Sequence, residues 1–339
     1  MRALVVEKDG SLAIQEVAKP ECSPRQALVR TIACGMCGTD LTIIKRCFKG
    51  FPLTSYPLIL GHEGVGEVIE IGSDVKSYKV GDKVLLSFNE AGAGMGSAYG
   101  ALSEYAIVND LAAYPADEAP EAAYAQTVLP PDMDPVDAIM FVTYREVLSS
   151  IRYFGIKAED TIVVYGCGTV GQTFIKFLSL MGCKDIVAVD IVEEKLKIAE
   201  ECGARKSFKG DSVNVVAEVR KLYPNGVKHV LDAVGLLSLA SEAMEMLEDR
   251  GNILCYGVLH KEQITIDFSK APYNWNFICQ QMPRKKEEAA AHDQVMKWLH
   301  EGKIVMKDFI SDYFEFEESV EAYGKFLDNK LLKKGIIKF

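Results

Sequence analysis

Two short stretches of the chain carry side chains that bind metal ions. The stretch ACGMCGTD holds Cys34 and Cys37, and LILGHEGVG holds His62 and Glu63 between glycines. Sulfur, imidazole nitrogen and carboxylate oxygen are the ligand atoms that zinc takes in proteins. A structural zinc site needs four ligands, and no second Cys-x-x-Cys pair follows the first. The stretches are therefore consistent with a catalytic zinc site, which keeps one position open for water or substrate.

Two plainer interpretations of these residues remain. The cysteine pair could be a thiol redox site, although the β-α pattern of a thioredoxin-like fold does not follow it. His62 could be a buried, hydrogen-bonded histidine. Its position beside Glu63 and between glycines, in a chain with five histidines, favours a ligand instead.

A second chemical signal is the run GCGTVG, which joins a predicted strand, TIVVY, to a predicted helix. In this context Gly166 permits a tight turn, Gly168 lets the backbone approach a pyrophosphate, and Gly171 lets the helix pack on the strand. The N–H groups that open the helix, from Thr169 and Val170 onward, attract phosphate. The run therefore predicts a dinucleotide site; a glycine-rich structural turn is the alternative.

The acidic residue that such a site requires follows at Asp190, which ends the predicted strand DIVAVD. Its carboxylate can accept a hydrogen bond from a ribose hydroxyl. Ile191 and Val192 come next, without an arginine to hold a 2′-phosphate, so NAD(H) is predicted over NADP(H). Val234, which follows the later strand VKHVLD, is a further predicted cofactor contact.

The predicted secondary structure that must position these residues changes once along the chain. Up to about residue 135, short β-branched segments bounded by Gly, Pro or Asp predict a β-rich region. From about residue 143, apolar strands alternate with helical stretches, which predicts a parallel sheet covered on both faces. A length of 339 residues fits two domains.

Composition excludes several classes of partner and location. The net charge of −10, without a block of Lys or Arg, argues against nucleic acid or an anionic membrane as partner. The sequence shows neither a signal-peptide pattern nor an apolar run of transmembrane length. Nine irregularly spaced cysteines fit a reducing compartment, so a cytoplasmic location is predicted.

In their order along the chain, CGTD, GHEGVGEV, VGDKV, SEYAIV, GCGTVG, VDIVEEKL and GIIKF resemble the medium-chain dehydrogenase/reductase superfamily. The resemblance is to its zinc-dependent alcohol and polyol (sorbitol-like) dehydrogenase branch and covers essentially the whole chain. It implies an α/β fold: a GroES-like, β-rich catalytic domain at 1–142 with 282–339, and a doubly wound Rossmann domain at 143–281. It also implies a homodimer or homotetramer.

The resemblance assigns roles to single residues. It implies that Cys37 and His62 are zinc ligands, with Glu63 completing the coordination together with a water molecule. Asp40 falls where a carboxylate orients the histidine, and Thr39 where a hydroxyl begins the proton relay from the alcohol.

The resemblance carries two basic residues over to the cofactor. Lys195 matches a lysine that contacts the adenosine ribose. Lys334 falls near a basic residue that can reach the pyrophosphate.

The chain also departs from the family pattern in two places. A glycine-rich loop stands where the family has a four-cysteine structural zinc lobe, so one zinc ion is expected. Val142 stands where many members supply a third zinc ligand, and valine cannot bind metal. Glu146, one helical turn later, is predicted either to substitute for that ligand, to face the nicotinamide, or to be a solvated helix residue.

The predicted function is a zinc-dependent oxidoreductase that transfers hydride between NAD(H) and a secondary alcohol or polyol, or the matching ketone. One alternative is a zinc-free NAD(P)H-dependent quinone or enone reductase of the same superfamily. Another is a non-catalytic dinucleotide-binding protein. Aromatic residues of RCFKGFPLTSY and APYNWNF are predicted to line the substrate pocket, and Tyr56, Asn274 and Glu146 are its polar candidates.

Overall fold

A computed structural model describes residues 1–90, 95–115, 117–258 and 265–339, which form two compact units. The first unit comprises Met1–Arg145 with Arg284–Phe339, and the second comprises Glu146–Pro283. Part of the glycine-rich loop, 91–94, lies outside the described residues. No helix in the described ranges combines the length and the apolar character needed to cross a membrane.

The N-terminal part of the first unit consists mainly of short strands, as its β-branched segments predict. They are β1 (Arg2–Val6), β2 (Leu12–Glu16), β3 (Gln26–Gly35), β4 (Leu58–Ile59), β5 (Gly64–Ile71), β6 (Lys83–Ser87), β7 (Gly96–Ser97) and β8 (Tyr105–Asn109). A short helix, α1 (Gly38–Ile44), follows β3. A longer helix, α2 (Met140–Phe154), contains the division between the units and carries Val142, which is fully buried.

Strands and helices alternate in the second unit. The strands are β9 (Ile162–Tyr165), β10 (Ile186–Asp190), β11 (Lys206–Lys209), β12 (Val227–Asp232), β13 (Leu247–Cys255) and β14 (Trp275–Cys279). The helices are α3 (Thr169–Leu180), α4 (Glu193–Cys202), α5 (Val215–Leu222) and α6 (Ser238–Met246). The alternation confirms the α/β fold class predicted from the apolar strands.

The sheet of the second unit has the strand order β11-β10-β9-β12-β13-β14, with parallel neighbours throughout. This is the doubly wound arrangement in which the direction of strand addition reverses between β9 and β12. Its core consists of apolar side chains from the strands and from α5 and α6: Val163, Val187, Val219, Val230, Ala243, Met244 and Ile253. Ligands of such sheets bind at the carboxyl ends of the strands, where the order reverses.

The C-terminal segment returns to the first unit. It contains α7 (Lys285–His300), β15 (Ile310–Glu315), α8 (Ser319–Leu327) and β16 (Lys334–Lys338). Helix α7 begins four residues before the predicted stretch AAAHDQVMKWLHEG, because the Glu287 carboxylate accepts from the N–H of Arg284 at 3.2 Å and caps the helix there.

The strands of the first unit form two sheets within the described residues. One has the order β2-β1-β4-β7, and the other has the order β15-β16-β3-β5-β6, with β8 also paired to β3. Strand β16 is antiparallel to β3, so that Ile337 lies opposite Cys34. This pairing brings the end of the chain beside the strand that leads into CGTD.

Short 3₁₀ helices complete the described elements. Their bounds are Leu53–Ser55, Leu111–Ala113, Glu121–Tyr124, Asp137–Ile139, Phe268–Lys270, Met306–Phe309 and Phe316–Glu318.

Candidate functional site

Cys37 lies between β3 and α1 and is the N-cap of that helix. Its backbone is extended (φ −126°, ψ 151°), and its N–H donates to Oδ2 of Asp40 at 3.0 Å. Asp40 is the third residue of the helix, from which a side chain can reach back to the N-cap N–H. The C-x-x-D spacing therefore positions the cysteine and the carboxylate together.

The second oxygen of Asp40 faces His62. The distance between Nδ1 of His62 and Oδ1 of Asp40 is 3.2 Å, and Asp40 is fully buried. A carboxylate on Nδ1 fixes the tautomer and leaves Nε2 as the ligand atom. Burial by itself would lower the pKa of His62, but the Asp40 carboxylate and the Cys37 sulfur outweigh it and raise that pKa well above its ordinary value.

Cys37, His62 and Glu63 form a cluster of potential metal ligands among the described residues. One ligand atom from each lies within 4.8 Å of the other two. Zinc bonds of about 2.0–2.3 Å in tetrahedral geometry hold ligand atoms roughly 3.3–3.8 Å apart. The upper bound of 4.8 Å is compatible with ligands of one ion, and sulfur, nitrogen and oxygen are a set that zinc accepts. The chemistry of these three residues fits one zinc ion, which Cys37, His62 and Glu63 would hold.

Helix α2 contributes no atom to this cluster. Val142 is buried, and its hydrocarbon side chain has no atom that could bind a metal ion. Glu146 is partly buried on the same helix, and the cluster found among the described residues does not include it. The three ligands of the cluster all belong to the first unit, and the hypotheses for Glu146 stay predictions.

Glu63 has a partner that the motifs do not reveal. The ammonium group of Lys334, on β16, donates to Oε1 at 2.8 Å and to Oε2 at 2.6 Å, and both side chains are buried. The structure thus places Lys334 on Glu63, and its predicted contact with a pyrophosphate stays a prediction. A carboxylate has about four lone-pair positions, so Glu63 can accept from the ammonium group and still offer an oxygen to a metal ion.

The sequence contained one signal for this ion pair. A lysine that opens the apolar strand KGIIKF is unusual at a buried position, because buried lysines are almost always paired with an acid. The identity of that acid, 271 residues earlier, depends on the pairing of β16 with β3.

Aromatic rings lie beside His62 in the first unit. The ring centroid of Tyr99 is 5.7 Å from that of His62, and Phe51, from the predicted lining stretch, is 6.3 Å from Tyr99. Thr39 is partly buried in the first turn of α1, and its carbonyl accepts from the Thr42 hydroxyl at 2.8 Å. The surroundings of His62 therefore include an aromatic ring, and Thr39 lies two residues from Cys37 in the first turn of α1.

Two of the polar candidates for a polyol are hydrogen-bonded elsewhere. The buried hydroxyl of Tyr56 donates to the carbonyl of Ile43 at 2.6 Å. The side-chain amide of Asn274 donates to Oδ1 of Asp249 at 2.9 Å, within the second unit. Neither arrangement supports the predicted role in substrate binding.

The glycine loop connects β9 to α3 in the second unit. Gly166 has φ +88°, a conformation that favours glycine, and Gly168 is the N-cap of α3. A Cβ atom on Gly171 would lie 1.8 Å from the carbonyl oxygen of Gly166, whereas one on Gly168 would meet nothing within 4 Å. Gly171 thus permits the close packing of helix and loop, and the open side of Gly168 faces away from protein atoms. Thr169 and Val170 form the first turn of the helix.

Asp190 ends β10 next to this loop. Its Oδ2 accepts from the N–H of Cys167 at 2.7 Å, and its Oδ1 accepts from the N–H of Val192 at 2.9 Å. Lys195 lies on α4, where burial lowers its pKa and the Asp190 carboxylate partly offsets that effect. The carboxylate is therefore held against the loop by backbone donors.

Val234 is the last of the predicted cofactor residues along the chain. It follows β12, is partly exposed, and its N–H donates to Oδ1 of Asp232 at 2.7 Å. A Cβ atom on Gly166 would be 2.6 Å from Cγ2 of Val234, so the two residues are neighbours. The structure brings the predicted cofactor residues together at the carboxyl ends of β9, β10 and β12, where the strand order reverses.

Comparison with known proteins shows the same two parts. The alcohol dehydrogenase GroES-like domain matches residues 23–118, and the zinc-binding dehydrogenase family matches residues 169–278. The chain is 28% identical over 284 residues to (R,R)-butanediol dehydrogenase of Bacillus subtilis (strain 168), covering 77% of this chain and 78% of that protein. It is 31% identical over 229 residues to an alcohol dehydrogenase of Geobacillus stearothermophilus, covering 62% and 63%. Among solved structures, it is similar to an alcohol dehydrogenase from Thermus sp. ATN1, with a TM-score of 0.78, 25% identity, and coverage of 100% and 99%.

Proposed function

Since the chain belongs to the zinc-type medium-chain dehydrogenase/reductase superfamily and is an oxidoreductase, we propose that it is a zinc-dependent alcohol dehydrogenase that uses NAD(H). Its substrate is a secondary alcohol or polyol, or the matching ketone. One observation carries the proposal: ligand atoms of Cys37, His62 and Glu63 lie within 4.8 Å of one another, with the Asp40 carboxylate on His62.

In this proposal the three ligands hold one zinc ion, and the other residues of the site support the reaction. A bound zinc ion supplies Lewis-acid activation of the substrate oxygen, and a bound nicotinamide accepts or donates the hydride. Asp40 holds the proton on Nδ1 of His62, so that the imidazole keeps its ligand nitrogen oriented. The hydroxyl of Thr39, in the first turn of α1, passes the substrate proton outward.

The second unit binds the dinucleotide in this proposal. The backbone N–H groups at the start of α3 bind the pyrophosphate, and Gly168 leaves room for its approach. Asp190 accepts from a ribose hydroxyl with lone pairs that its two backbone donors do not use. Because Ile191 and Val192 follow it, we expect NAD(H) to be used better than NADP(H).

The side chains near His62 bear on the substrate. Tyr99 and Phe51 present aromatic surface there, while the hydroxyl of Tyr56 is already used within the first unit. We favour a secondary alcohol with an aromatic or alkyl substituent, which could pack on the Tyr99 ring, over a sugar alcohol.

One observation favours a second candidate, a zinc-free quinone or enone reductase. Val142 occupies the position of a third zinc ligand and is buried, so helix α2 offers nothing to a metal there. Against it, a zinc-free enzyme has no use for a cysteine, a histidine and a glutamate brought together with a carboxylate behind the histidine.

Metal analysis and a substrate panel test the proposal. The purified protein is analysed for zinc and assayed for NADH formation with secondary alcohols, primary alcohols and sugar alcohols. We expect about one zinc per chain, activity that a chelator removes and zinc restores, and the highest kcat/KM with a secondary alcohol. Less than about a tenth of an equivalent of zinc, with quinone or enone reduction that survives the chelator, would establish the zinc-free reductase. Binding of NADH without turnover of any substrate would establish a non-catalytic protein.

A further inference from the structure

A buried tyrosine of the C-terminal segment contacts the carboxylate behind His62. The hydroxyl of Tyr323, on α8, donates to Oδ2 of Asp40 at 2.7 Å, and both side chains are fully buried. An ionised carboxylate only accepts hydrogen bonds, so the phenol is the donor. The two residues are 283 positions apart, and none of the motifs of the ligand cluster contains the tyrosine.

The partners of Asp40 divide between its two oxygens. Oδ2 accepts from the N–H of Cys37 and from the hydroxyl of Tyr323, while Oδ1 lies 3.2 Å from Nδ1 of His62. Two donors on one oxygen oppose rotation of the carboxylate about its Cβ–Cγ bond. The other oxygen is therefore kept beside the imidazole, 3.2 Å from Nδ1, and a shift of Asp40 would be passed to the histidine.

The phenol is itself held in place by packing. The Tyr323 ring is fully buried, and its centroid is 6.5 Å from that of Phe326 on the same helix. A phenylalanine at 323 would occupy the same space and lack only the hydroxyl. The position therefore allows the hydrogen bond to be removed without creating a cavity.

We propose that Tyr323 is a positioning residue of the zinc site: its hydroxyl holds Asp40, Asp40 holds His62, and the metal affinity depends on this chain of contacts. The inference rests on the proposed function, because it requires zinc on His62. Removing a hydrogen-bonding partner behind a metal ligand typically weakens metal binding about 10–100-fold. Since the N–H of Cys37 still holds Asp40, we expect the lower end of that range for Tyr323→Phe.

A second buried tyrosine supplies the matched control. The hydroxyl of Tyr78 donates to the carbonyl of Asn109 at 2.8 Å, in the same unit. Tyr78→Phe removes a buried hydrogen bond of nearly the same length that has no connection to Asp40. A merely structural role for Tyr323 predicts equal behaviour of the two variants.

The experiment measures zinc affinity of the full-length protein by competition with a chromophoric chelator, for the wild type, Tyr323→Phe and Tyr78→Phe. Absorption spectra of the cobalt-substituted proteins report the ligand geometry independently of activity. We expect Tyr323→Phe to bind zinc about tenfold more weakly and to alter the cobalt spectrum, and Tyr78→Phe to stay within about twofold of the wild type. Equal zinc affinities and identical cobalt spectra for all three proteins would overturn the inference alone. A wild type that binds no zinc would overturn the proposed function as well.

Asp40→Asn, alone and combined with Tyr323→Phe, tests whether the tyrosine acts through the Asp40 carboxylate. Asparagine preserves the volume of Asp40 and replaces one of its two oxygens by an NH2 group, which cannot accept from Nδ1–H of His62. We expect weaker zinc binding in Asp40→Asn and no further loss when Tyr323→Phe is added, because coupled residues are not additive. Unchanged affinity in Asp40→Asn, or a full additional loss in the double variant, contradicts the proposed chain of contacts.

Discussion

The ligand cluster of the first unit and the glycine loop of the second are assembled in opposite ways. In the cluster, Glu63 is paired with a lysine 271 residues away, and Asp40 with a tyrosine 283 residues away. In the loop, the turn, the helix start and their close packing all lie within Gly166–Gly171, and Asp190 follows 23 residues after Cys167. The loop is a local structure, whereas the cluster depends on where distant parts of the chain meet.

Substitutions in the two regions should therefore differ in how far their effects extend. Changes in the loop act on neighbours in sequence, so their effects should be confined to cofactor binding and to α3. Changes around the cluster act through strand pairing, above all that of β16 with β3, so residues far from the ligands should affect the metal and the stability of the whole unit.

The largest effect is expected from the loss of a ligand in the cluster. Cys37→Ser should lower zinc content to near zero and kcat/KM by about 1000-fold or more, because zinc binds thiolate far better than hydroxyl. Cys34→Ser is the control, since Cys34 is buried on β3 and outside the cluster. Metal analysis and steady-state kinetics measure both. Equal loss of zinc in both variants would show that the cluster is not the metal site.

The next largest effect is expected at the ion pair of Glu63. Lys334→Met leaves a buried carboxylate without its ammonium partner, which typically costs about 3–5 kcal/mol. Thermal unfolding of the metal-free protein measures the loss, and added zinc should recover more stability in this variant than in the wild type. Lys338→Met is the control on the same strand. Its pair with Glu315 is partly exposed and should contribute about 1 kcal/mol or less. Similar melting temperatures for the two variants would contradict a stabilising role for the buried pair.

In the loop, substitutions at two glycines should distinguish an effect on packing from an effect on cofactor binding. Gly171→Ala places a methyl group against the Gly166 carbonyl, so both the melting temperature and NADH affinity should fall, the latter about tenfold. Gly168→Ala meets no protein atom within 4 Å, so it should lower NADH affinity and leave the melting temperature unchanged. Fluorescence titration with NADH and calorimetry test this. A lower melting temperature for Gly168→Ala would show that Gly168 also contributes to packing and would contradict the local character of the loop.

The smallest effect is expected on the pH dependence of stability. It comes from a buried histidine in the second unit whose hydrogen-bond partners are distant in sequence. Nε2 of His229 lies 2.9 Å from Asp160, and its Nδ1 lies 3.1 Å from the amide nitrogen of Asn252. Burial lowers the pKa of His229, while Asp160 partly offsets this and the nearby Lys228 adds to it. The unfolded chain therefore binds a proton first as pH falls below about 6.5, so this contribution to stability is present above that pH and is lost below it.

Melting temperatures across that pH range measure the effect. His229→Gln keeps one donor and one acceptor but does not titrate, so its melting temperature should fall less steeply with decreasing pH than that of the wild type. Parallel curves for the two proteins would contradict the assignment of the pH dependence to His229.

Several features of the molecule could be predicted from its sequence because their causes are local. β-branched segments and alternating apolar strands indicated the fold class, and the strand–glycine–helix pattern placed Gly166, Gly168 and Gly171 correctly in one turn. The start of α7 was predicted too late, because apolar periodicity does not register a cap such as Glu287. The roles proposed for the individual cofactor and metal residues, and the predicted homodimer or homotetramer, stay predictions.

The sequence by itself determined which side chains could bind zinc and a dinucleotide, because the C-x-x-D, GHE and glycine motifs each span only a few neighbouring residues. Only the tertiary structure decided what surrounds them. Lys334 and Tyr323 reach Glu63 and Asp40 because β16 pairs with β3 and α8 packs in the same unit. The physical reason is that a buried carboxylate needs a donor, and spacing along the chain does not specify which distant residue will provide it.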